Sequence, residues 1–171
     1  MHLVKKLKNY YLSAKHRKFL DLDLSIYRKF LEKDSVFVHI PKTAGRSIIS
    51  SIYGEDLKNC GHRTYFFYKY LFRKKRIEKM YTFSFVRNPY TRLLSAYNFL
   101  KNGGENKHDI NAKKKFIDSY CDFNNFINFG LENVISNNVV HFVPQHHFIT
   151  DGKKTLVDFV GKYETLENDL K

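Results

Sequence analysis

The chain has 171 residues, of which 43% are hydrophobic and 16% aromatic. This composition excludes a disordered protein and indicates a globular one, most simply a single domain long enough to bury a core. Thirty lysines and arginines against 17 acidic residues give a formal net charge of +13. The excess favours an anionic partner, such as a phosphorylated nucleotide, an acidic glycan, nucleic acid or an anionic membrane, without choosing among them.

Cysteine content and hydropathy exclude two further classes of protein. Cys60 and Cys121 are too few for a disulfide framework and lack metal-site spacing, which favours a reduced compartment but leaves one bridge between them open. No apolar run approaches the roughly 18–20 residues that span a bilayer. The first residues also lack the apolar core of a signal peptide. We therefore expect a cytoplasmic protein, with peripheral membrane contact as an option.

Residues 1–34 predict a basic helical extension. Apolar residues recur at helical spacing on two successive faces: Leu3, Leu7, Tyr10 and Ala14, then Leu20, Leu24, Tyr27 and Leu31. Lysines and arginines crowd the other side. One interpretation is an amphipathic helix that rests on anionic lipid or an acidic polymer. The other, which we favour here, is a helix that covers the domain and leaves its basic side in solvent.

The next segment predicts a strand, a loop and a helix suited to binding a phosphate. An apolar run over Ser35–Ile40 stops at Pro41, and a helical pattern follows over Ser47–Tyr53. Backbone amides and the dipole at a helix N-terminus favour an anion, and Lys42 adds a mobile cation. The loop is not a Walker A motif, since its lysine precedes the glycine, Gly45.

A second strand and helix come after a linker at residues 54–61 and a basic, aromatic segment, His62–Lys79, that is predicted to be helical. The strand is predicted at Tyr81–Val86 and the helix at Pro89–Lys101, with Asn88 as the N-cap. Three apolar residues fall at helical spacing and predict the buried stripe of this helix: Leu93, Tyr97 and Leu100.

The remaining chain predicts more helices and a late strand. A polar loop at Gly103–Asp109 precedes helices at Ala112–Tyr120 and Phe123–Asn133, and an irregular segment at Val139–Gln145 precedes a strand at Leu156–Tyr163. Their inward side chains are expected to be Phe116, Ile117, Phe126, Ile127 and Phe129. Aromatics among lysines also occur in single-strand nucleic-acid proteins, but helical spacing favours a core. The order of elements predicts an α/β fold with a largely parallel sheet, whose ligands bind at the carboxyl ends of the strands.

Two motifs carry a resemblance to a known family. Pro-Lys-Thr-Ala-Gly at residues 41–45 resembles the 5′-phosphosulfate loop of sulfotransferases. Val-Arg-Asn-Pro at residues 86–89, followed by Arg-Leu-Leu-Ser at residues 92–95, resembles their 3′-phosphate-binding strand and helix. From Val36 onward the chain is similar to sulfotransferase family 2, the carbohydrate and heparan sulfotransferase type.

The resemblance implies a fold, a donor and an acceptor. The fold would be a P-loop-like three-layer α/β/α domain over residues 35–171, preceded by the helical segment. The donor would be 3′-phosphoadenosine-5′-phosphosulfate (PAPS), with no metal. The acceptor would be a hydroxyl, which we expect to belong to a glycan, and no specific nucleic acid is expected. Members of the family usually continue past the late strand, so this chain is expected either to be a short variant or to lack part of the C-terminal region.

The resemblance also implies roles for individual residues. Lys42 would stabilise the departing 5′-phosphate, which would be surrounded by the loop residues Thr43, Ala44, Gly45, Arg46 and Ser47. Arg87 and Ser95 would bind the 3′-phosphate, and His62 would act as the base. Arg46 replaces the small or hydroxyl residue that is commoner in the family, so it either adds a second cation or points to solvent.

Other polar residues have less specific expectations. Arg92 is expected to pair with a carboxylate, His39 to pack against the core, and Glu164 to be a weaker candidate for organising the site. His141, His146 and His147 invite a zinc interpretation, but no carboxylate or cysteine completes a known spacing, so an acceptor-pocket or structural role is favoured. Two alternatives to the enzyme stay open: a P-loop kinase, disfavoured because Walker A is absent, and a non-catalytic basic nucleotide- or glycan-binding module derived from a truncated sulfotransferase.

Overall fold

Three parallel strands form the sheet of this protein. The computed structural model describes residues 2–21, 25–54, 57 and 60–170. The strands are paired in chain order, β1-β2-β3, and they span β1 Ser35–Phe37, β2 Tyr81–Val86 and β3 Phe159–Lys162. Because both neighbouring pairs are parallel, all three strands end at the same edge of the sheet. The predicted α/β class with a parallel sheet is confirmed.

The described residues divide into two compact units, one of residues 1–86 with 145–171 and one of residues 87–144. The helices of the first unit are α1 His2–Asp21, α2 Arg28–Glu32, α3 Gly45–Tyr53, α4 Tyr65–Phe72, α5 Lys74–Ile77, α10 His146–Ile149 and α11 Leu166–Asp169. Those of the second unit are α6 Pro89–Lys101, α7 Lys107–Phe116, α8 Phe123–Phe129 and α9 Leu131–Ser136. Short 3-10 helices lie at Val140–Phe142 and Tyr163–Thr165.

Most predicted elements are present, with four differences in their bounds. The ladder of β1 ends at Phe37 rather than Ile40, and β3 is shorter than predicted at both ends. The predicted helix His62–Lys79 is two helices, because Arg73 has a φ of 63° and interrupts them. In the predicted loop before residue 110, the side chain of Asn106 accepts hydrogen bonds from the amides of His108 and Asp109 and starts α7 early. The predicted linker 54–61 lies partly outside the described residues.

The N-terminal helix packs on α4 through the face that the sequence did not indicate. Leu7 is 60% exposed and Tyr10 is 56% exposed, although both were expected to face inward; Leu3 and Leu24 lie outside the described side chains. The buried side instead carries Ser13 and Leu20. Polar bonds fix this side, since Asn9 donates to the hydroxyl of Thr64 over 3.1 Å. The boundary predicted after residue 34 stays a prediction.

The core of the second unit forms around α6. Tyr97 and Leu100 are buried, and Leu93 packs against the same cluster, which confirms the predicted stripe of this helix. Phe116, Ile117 and Phe126 join it. Phe129 was expected inside but is 73% exposed, because α8 ends there and Gly130 continues the chain into α9.

Two further expectations concern cysteines and membranes. Cys60 is buried and Cys121 exposed, and both are free thiols, so the bridge left open by the sequence is not formed. Burial raises the pKa of Cys60 to about 12, which keeps this thiol protonated at neutral pH. Among the helices that the structure describes, none is long and apolar enough to cross a bilayer.

Candidate active site

The loop after β1 is fixed to the middle strand of the sheet. Beyond the β1 ladder, the amide of Val38 donates to the carbonyl of Phe83 over 2.8 Å. The hydroxyl of Ser84 donates to the carbonyl of Val38 over 2.7 Å. Val38 and Ile40 are fully buried, so the chain leaves the sheet from a rigid base.

The backbone of this loop is strained at two positions. Lys42 has a φ of 70° and Ala44 a φ of 61°, a left-handed conformation that costs a non-glycine residue about 1–2 kcal/mol. Between them, buried Thr43 donates its hydroxyl to the carbonyl of Ile40 over 2.9 Å and closes the turn. Left-handed Ala44 followed by helical Gly45 makes successive amides converge, which is the geometry of an anion-binding nest. Such strain concentrates at functional sites.

The nest opens the nine-residue helix α3. Ile48, Ile49 and Tyr53 are buried and anchor this helix to the core. Its N-cap is Ala44, whose methyl group cannot accept the hydrogen bonds that the first-turn amides offer. Those amides and the positive end of the helix dipole therefore suit an external anion. The expected ligands lie here: Lys42 is half-buried, and Arg46 and Ser47 are exposed.

Two histidines lie in a chain of contacts with Gly45 of the nest. The imidazole of His39 lies so close to Gly45 that a Cβ at this position would overlap the ring. The ring of His62 meets His39 edge-on, with centroids 4.4 Å apart. His39 itself is buried, as expected. The structure thus links the predicted base His62 to the predicted phosphosulfate loop through His39, a residue that the sequence had placed in the core.

The connection after β2 begins the second unit and is built differently. Asn88 caps α6, because its side-chain oxygen accepts from the amides of Tyr90 and Thr91 at 3.0 and 3.4 Å. Pro89 follows at the first helical position. The Nε of Arg87 donates to the hydroxyl of Thr91 over 3.2 Å. This bond holds the predicted phosphate ligand Arg87 over the first turn of α6.

Helix α6 supplies further polar side chains. Ser95 is half-buried and lies one turn beyond Thr91 on the same helical face, because residues four apart are neighbours on a helix. Arg92 is buried, and its burial lowers the pKa to about 10. A carboxylate partner for Arg92 stays a prediction.

The remaining histidines occupy two places. In the second unit, buried His141 lies 3.2 Å from the carboxylate of Asp109, Nε2 to Oδ1, and its ring contacts Phe99. In the first unit, exposed His146 and His147 meet edge-on at 4.4 Å. Within the described ranges, no group of three or more His, Cys, Asp or Glu side chains has the arrangement of a metal site. Glu164 is exposed on the 3-10 helix after β3.

Sequence reasoning missed three features of these connections. Thr91 could have been found, because it lies four residues from both Arg87 and Ser95. The ring contact between His39 and His62 joins residues 23 apart in the sequence and has no local pattern. The left-handed conformation of Ala44 has no sequence signal either, because alanine is not one of the residue types that favour turns.

Comparison with known proteins agrees with the motifs. A sequence model of the sulfotransferase family matches residues 32–171, which include β1, α3, β2, α6 and both connections that carry the predicted ligands. No curated protein and no solved structure matches the chain. The match confirms the resemblance to sulfotransferase family 2 that the two motifs carry. The chain therefore belongs to the sulfotransferase family.

Proposed function

We propose that this protein transfers a sulfuryl group from PAPS to a hydroxyl group of a carbohydrate. The observation that carries the proposal is the N-terminus of α3, whose N-cap residue Ala44 makes no side-chain hydrogen bond and which follows a strained nest after β1. The neighbouring parallel strand, β2, ends at the same edge, and Arg87 follows its last residue in the chain. Ligands of parallel α/β sheets bind at such carboxyl ends.

In the proposed donor site the loop binds the 5′ end of the nucleotide. The backbone amides of residues 43–47 and the hydroxyl of Ser47 would bind the 5′-phosphate. Thr43 would contribute its amide alone, since its hydroxyl proton is donated to Ile40. The ammonium of Lys42 would stabilise the negative charge that develops on the departing phosphate oxygen. Arg46 is exposed, and we assign it the role of a second cation. No metal is needed for this charge balance.

The 3′ end of the nucleotide would be bound by side chains. The guanidinium of Arg87 offers parallel donors that match a phosphate, and the bond to Thr91 keeps it oriented. Ser95, one turn further along α6, would add a hydroxyl donor. This 3′-phosphate is what separates PAPS from ATP, so recognition of it is the sharpest test of the donor.

His62 would be the base of the reaction. It would accept the proton of the acceptor hydroxyl while that oxygen forms a bond to sulfur and the bond from sulfur to the 5′-phosphate oxygen breaks. The electron pair leaves with 3′-phosphoadenosine-5′-phosphate (PAP). An imidazole suits this role at neutral pH, and the contact of His62 with His39, which packs against Gly45 of the nest, supports it. A carbohydrate acceptor is supported by the net charge of +13, since a basic protein attracts an acidic glycan.

Calorimetry on the full chain tests the donor site. We expect PAP to bind well, ATP to bind much more weakly, and Arg87→Ala to weaken PAP about 10- to 100-fold, as for a charged hydrogen bond. Affinity for adenosine 5′-phosphate, which lacks the 3′ group, should not change. Lys114→Ala, an exposed lysine of α7, is the matched control. Equal binding of ATP and PAP would remove the case for PAPS.

Turnover separates the enzyme from the non-catalytic module. Labelled PAPS is offered with a panel of polysaccharides, and transfer of the label is measured. Lys42→Ala should abolish transfer, whereas Lys75→Ala, an exposed lysine of α5, should not. If the parent chain binds PAP but transfers to no polysaccharide, the module is the better description. If His62→Ala keeps full turnover, His62 is not the base, but the assignment as a sulfotransferase still holds.

A second role is favoured by the outward face of α1. Leu7 is 60% exposed and Tyr11 is 72% exposed, and Lys15 and Lys18 follow them on the same side of the helix. Aromatic and basic side chains on one helical face suit an anionic membrane surface. We therefore propose peripheral membrane contact through this face. The cytoplasmic location stays a prediction.

Vesicle sedimentation tests this contact. The chain should sediment with phosphatidylcholine vesicles that contain phosphatidylglycerol and much less with phosphatidylcholine alone. Reversing both lysines, Lys15→Glu with Lys18→Glu, should weaken binding more than about tenfold, since each basic residue near the surface contributes about 1 kcal/mol. Lys114→Glu with Lys153→Glu makes the same charge change at exposed sites elsewhere. Equal loss in both variants would mean that net charge, not this face, is responsible.

A further inference from the structure

The most informative contact outside the predicted ligands is that of His39 with two site residues. Its ring is buried and occupies the space where a side chain at Gly45 would otherwise lie. A second partner is the ring of His62, at 4.4 Å between centroids and an interplanar angle of 61°. A third ring, Phe37 of β1, stacks on His39 at 5.7 Å. One imidazole therefore touches the strand, the first residue of α3 and the proposed base.

The backbone that carries His39 is itself fixed. Val38, the residue before it, is bonded to β2 through both its amide and its carbonyl. Two residues beyond His39, the chain enters the loop that Thr43 closes. A ring carried by such a backbone and packed against three neighbours has little room to move, because protein interiors are close-packed.

His62 is carried by a segment of a different kind. It lies between Cys60 and α4, in a stretch of the chain that forms neither helix nor strand. Catalysis of group transfer depends on a base held in reach of the reacting hydroxyl, and a misplacement of about 1 Å is enough to lower the rate about 100-fold. The contact with His39 links this residue, outside the regular elements, to the rigid loop.

We infer that His39 is a positioning residue that fixes the His62 imidazole relative to the donor loop. The inference rests on the proposed function, because it assigns a task to the proposed base. We assign His39 no bond to the donor, because its ring is buried and packs against Gly45, His62 and Phe37. Two consequences are separable: the ring fills the space beside Gly45, so that no side chain fits at position 45, and it orients His62.

Three variants separate these consequences. Gly45→Ala places a methyl group against the His39 ring, so we expect PAP affinity to fall at least about tenfold through displacement of the nest. His39→Ala removes the ring and leaves the bonds of Val38 and Thr43 in place, so affinity should stay within about threefold of the parent. In the double variant, the methyl group introduced at position 45 enters the space that the ring has left, and affinity should recover to the level of His39→Ala.

The position of His62 is read by NMR in the full chain labelled with ¹⁵N-histidine. The ring signals of His62, assigned through His62→Gln, should shift when PAP saturates the parent. In His39→Ala and in the double variant, this shift should fall to about half or less although PAP still binds. His39→Phe keeps a ring at the same place and should retain most of the shift. His108→Ala, an exposed histidine of α7, is the control and should change nothing.

The outcomes distinguish a failure of the positioning role of His39 from a failure of the proposed function. An unchanged His62 response in His39→Ala, with PAP bound, overturns the positioning role and leaves the donor site intact. Loss of the response in both His39→Ala and His39→Phe, with PAP bound in both, also contradicts positioning by ring packing. Absence of PAP binding to the parent chain would instead overturn the proposed function, and the inference with it. If His39→Ala does not fold, the double variant and His39→Phe carry the same comparison.

Discussion

The two strand-to-helix connections of this protein hold their helix N-termini in opposite ways. After β1, the chain passes through left-handed Lys42 and Ala44, and the side chain of the N-cap residue Ala44 makes no hydrogen bond to α3. After β2, Asn88 and Pro89 cap α6 from within the chain. A capped N-terminus has little left to offer an anion. We therefore expect the first connection to recognise its phosphate through the backbone and the second through side chains.

The largest expected effect comes from the backbone of the first connection. Ala44→Val places a β-branched residue at a left-handed position, which is a genuine outlier for that side chain, and the strain of about 1–3 kcal/mol should deform the nest. Affinity for both PAP and adenosine 5′-phosphate should fall about tenfold or more, measured by calorimetry.

Ala44→Gly is the control for this variant. Glycine adopts the left-handed conformation without strain, so the nest should persist and both affinities should stay near those of the parent chain. Tight binding of either nucleotide by Ala44→Val would show that the conformation of the loop does not determine recognition of the 5′-phosphate.

The second prediction concerns the cap of α6. Asn88→Ala removes the acceptor of two amide hydrogen bonds and should destabilise the helix by about 1 kcal/mol. Hydrogen exchange should show faster exchange at the amides of Tyr90 and Thr91, and Asn88→Ser should restore protection. If those amides were equally protected without Asn88, the contrast between the connections would lose its basis.

A smaller effect is expected from the bond that orients Arg87. Thr91→Ala removes the acceptor of the Nε hydrogen bond and should weaken PAP about two- to tenfold, as one neutral side-chain partner is worth about 0.5–1.5 kcal/mol. Adenosine 5′-phosphate should bind as before, and Thr91→Ser should behave like the parent chain. A parallel loss for both nucleotides would mean that Thr91 acts through the fold and not through the 3′-phosphate.

The smallest effect is expected from Asp169, whose carboxylate accepts hydrogen bonds close to the end of β3. Asp169 accepts hydrogen bonds from the amide of Lys162 and the hydroxyl of Thr165, and these lower its pKa below the usual 3.8. A carboxyl with a lowered pKa stabilises the fold above its unfolded pKa and loses this contribution as pH falls through the folded one.

Urea midpoints measured at several pH values check this prediction. At pH 7 the urea midpoint of the parent chain should be slightly higher than that of Asp169→Asn. The two midpoints should become equal below about pH 4. A difference that persists in acid would have a cause other than ionisation of this carboxyl group.

The second connection could be predicted from the sequence and the first only in part. The bounds of β2 and α6 agree with the sequence pattern, because Asn88 and Pro89 mark a helix start by local chemistry. β1 was placed correctly at its start, but its ladder ends at Phe37, since strand length depends on the partner. The strain at Ala44 and the contact of His39 with His62 arise from tertiary packing, which leaves no periodic pattern in the chain.

The face of α1 was misjudged for a related reason. Leu7 and Tyr10 have the spacing of a buried stripe, but polar bonds decide the orientation of this helix on α4. The spacing of apolar residues gives no information on such hydrogen bonds, because they join Asn9 and Arg17 to groups more than 50 residues away.

Those bonds have a practical consequence for anyone who truncates the chain. Asn9 bonds to Thr64 just before α4, and Arg17 donates to the carbonyls of Tyr70 and Leu71 in its last turn. A recombinant fragment cut at residue 32, where the family match begins, would strip partners from both ends of α4 and uncover Phe67, which the ring of His16 touches. Expression trials should therefore keep the N-terminal helix, even though it lies outside the region shared with the family.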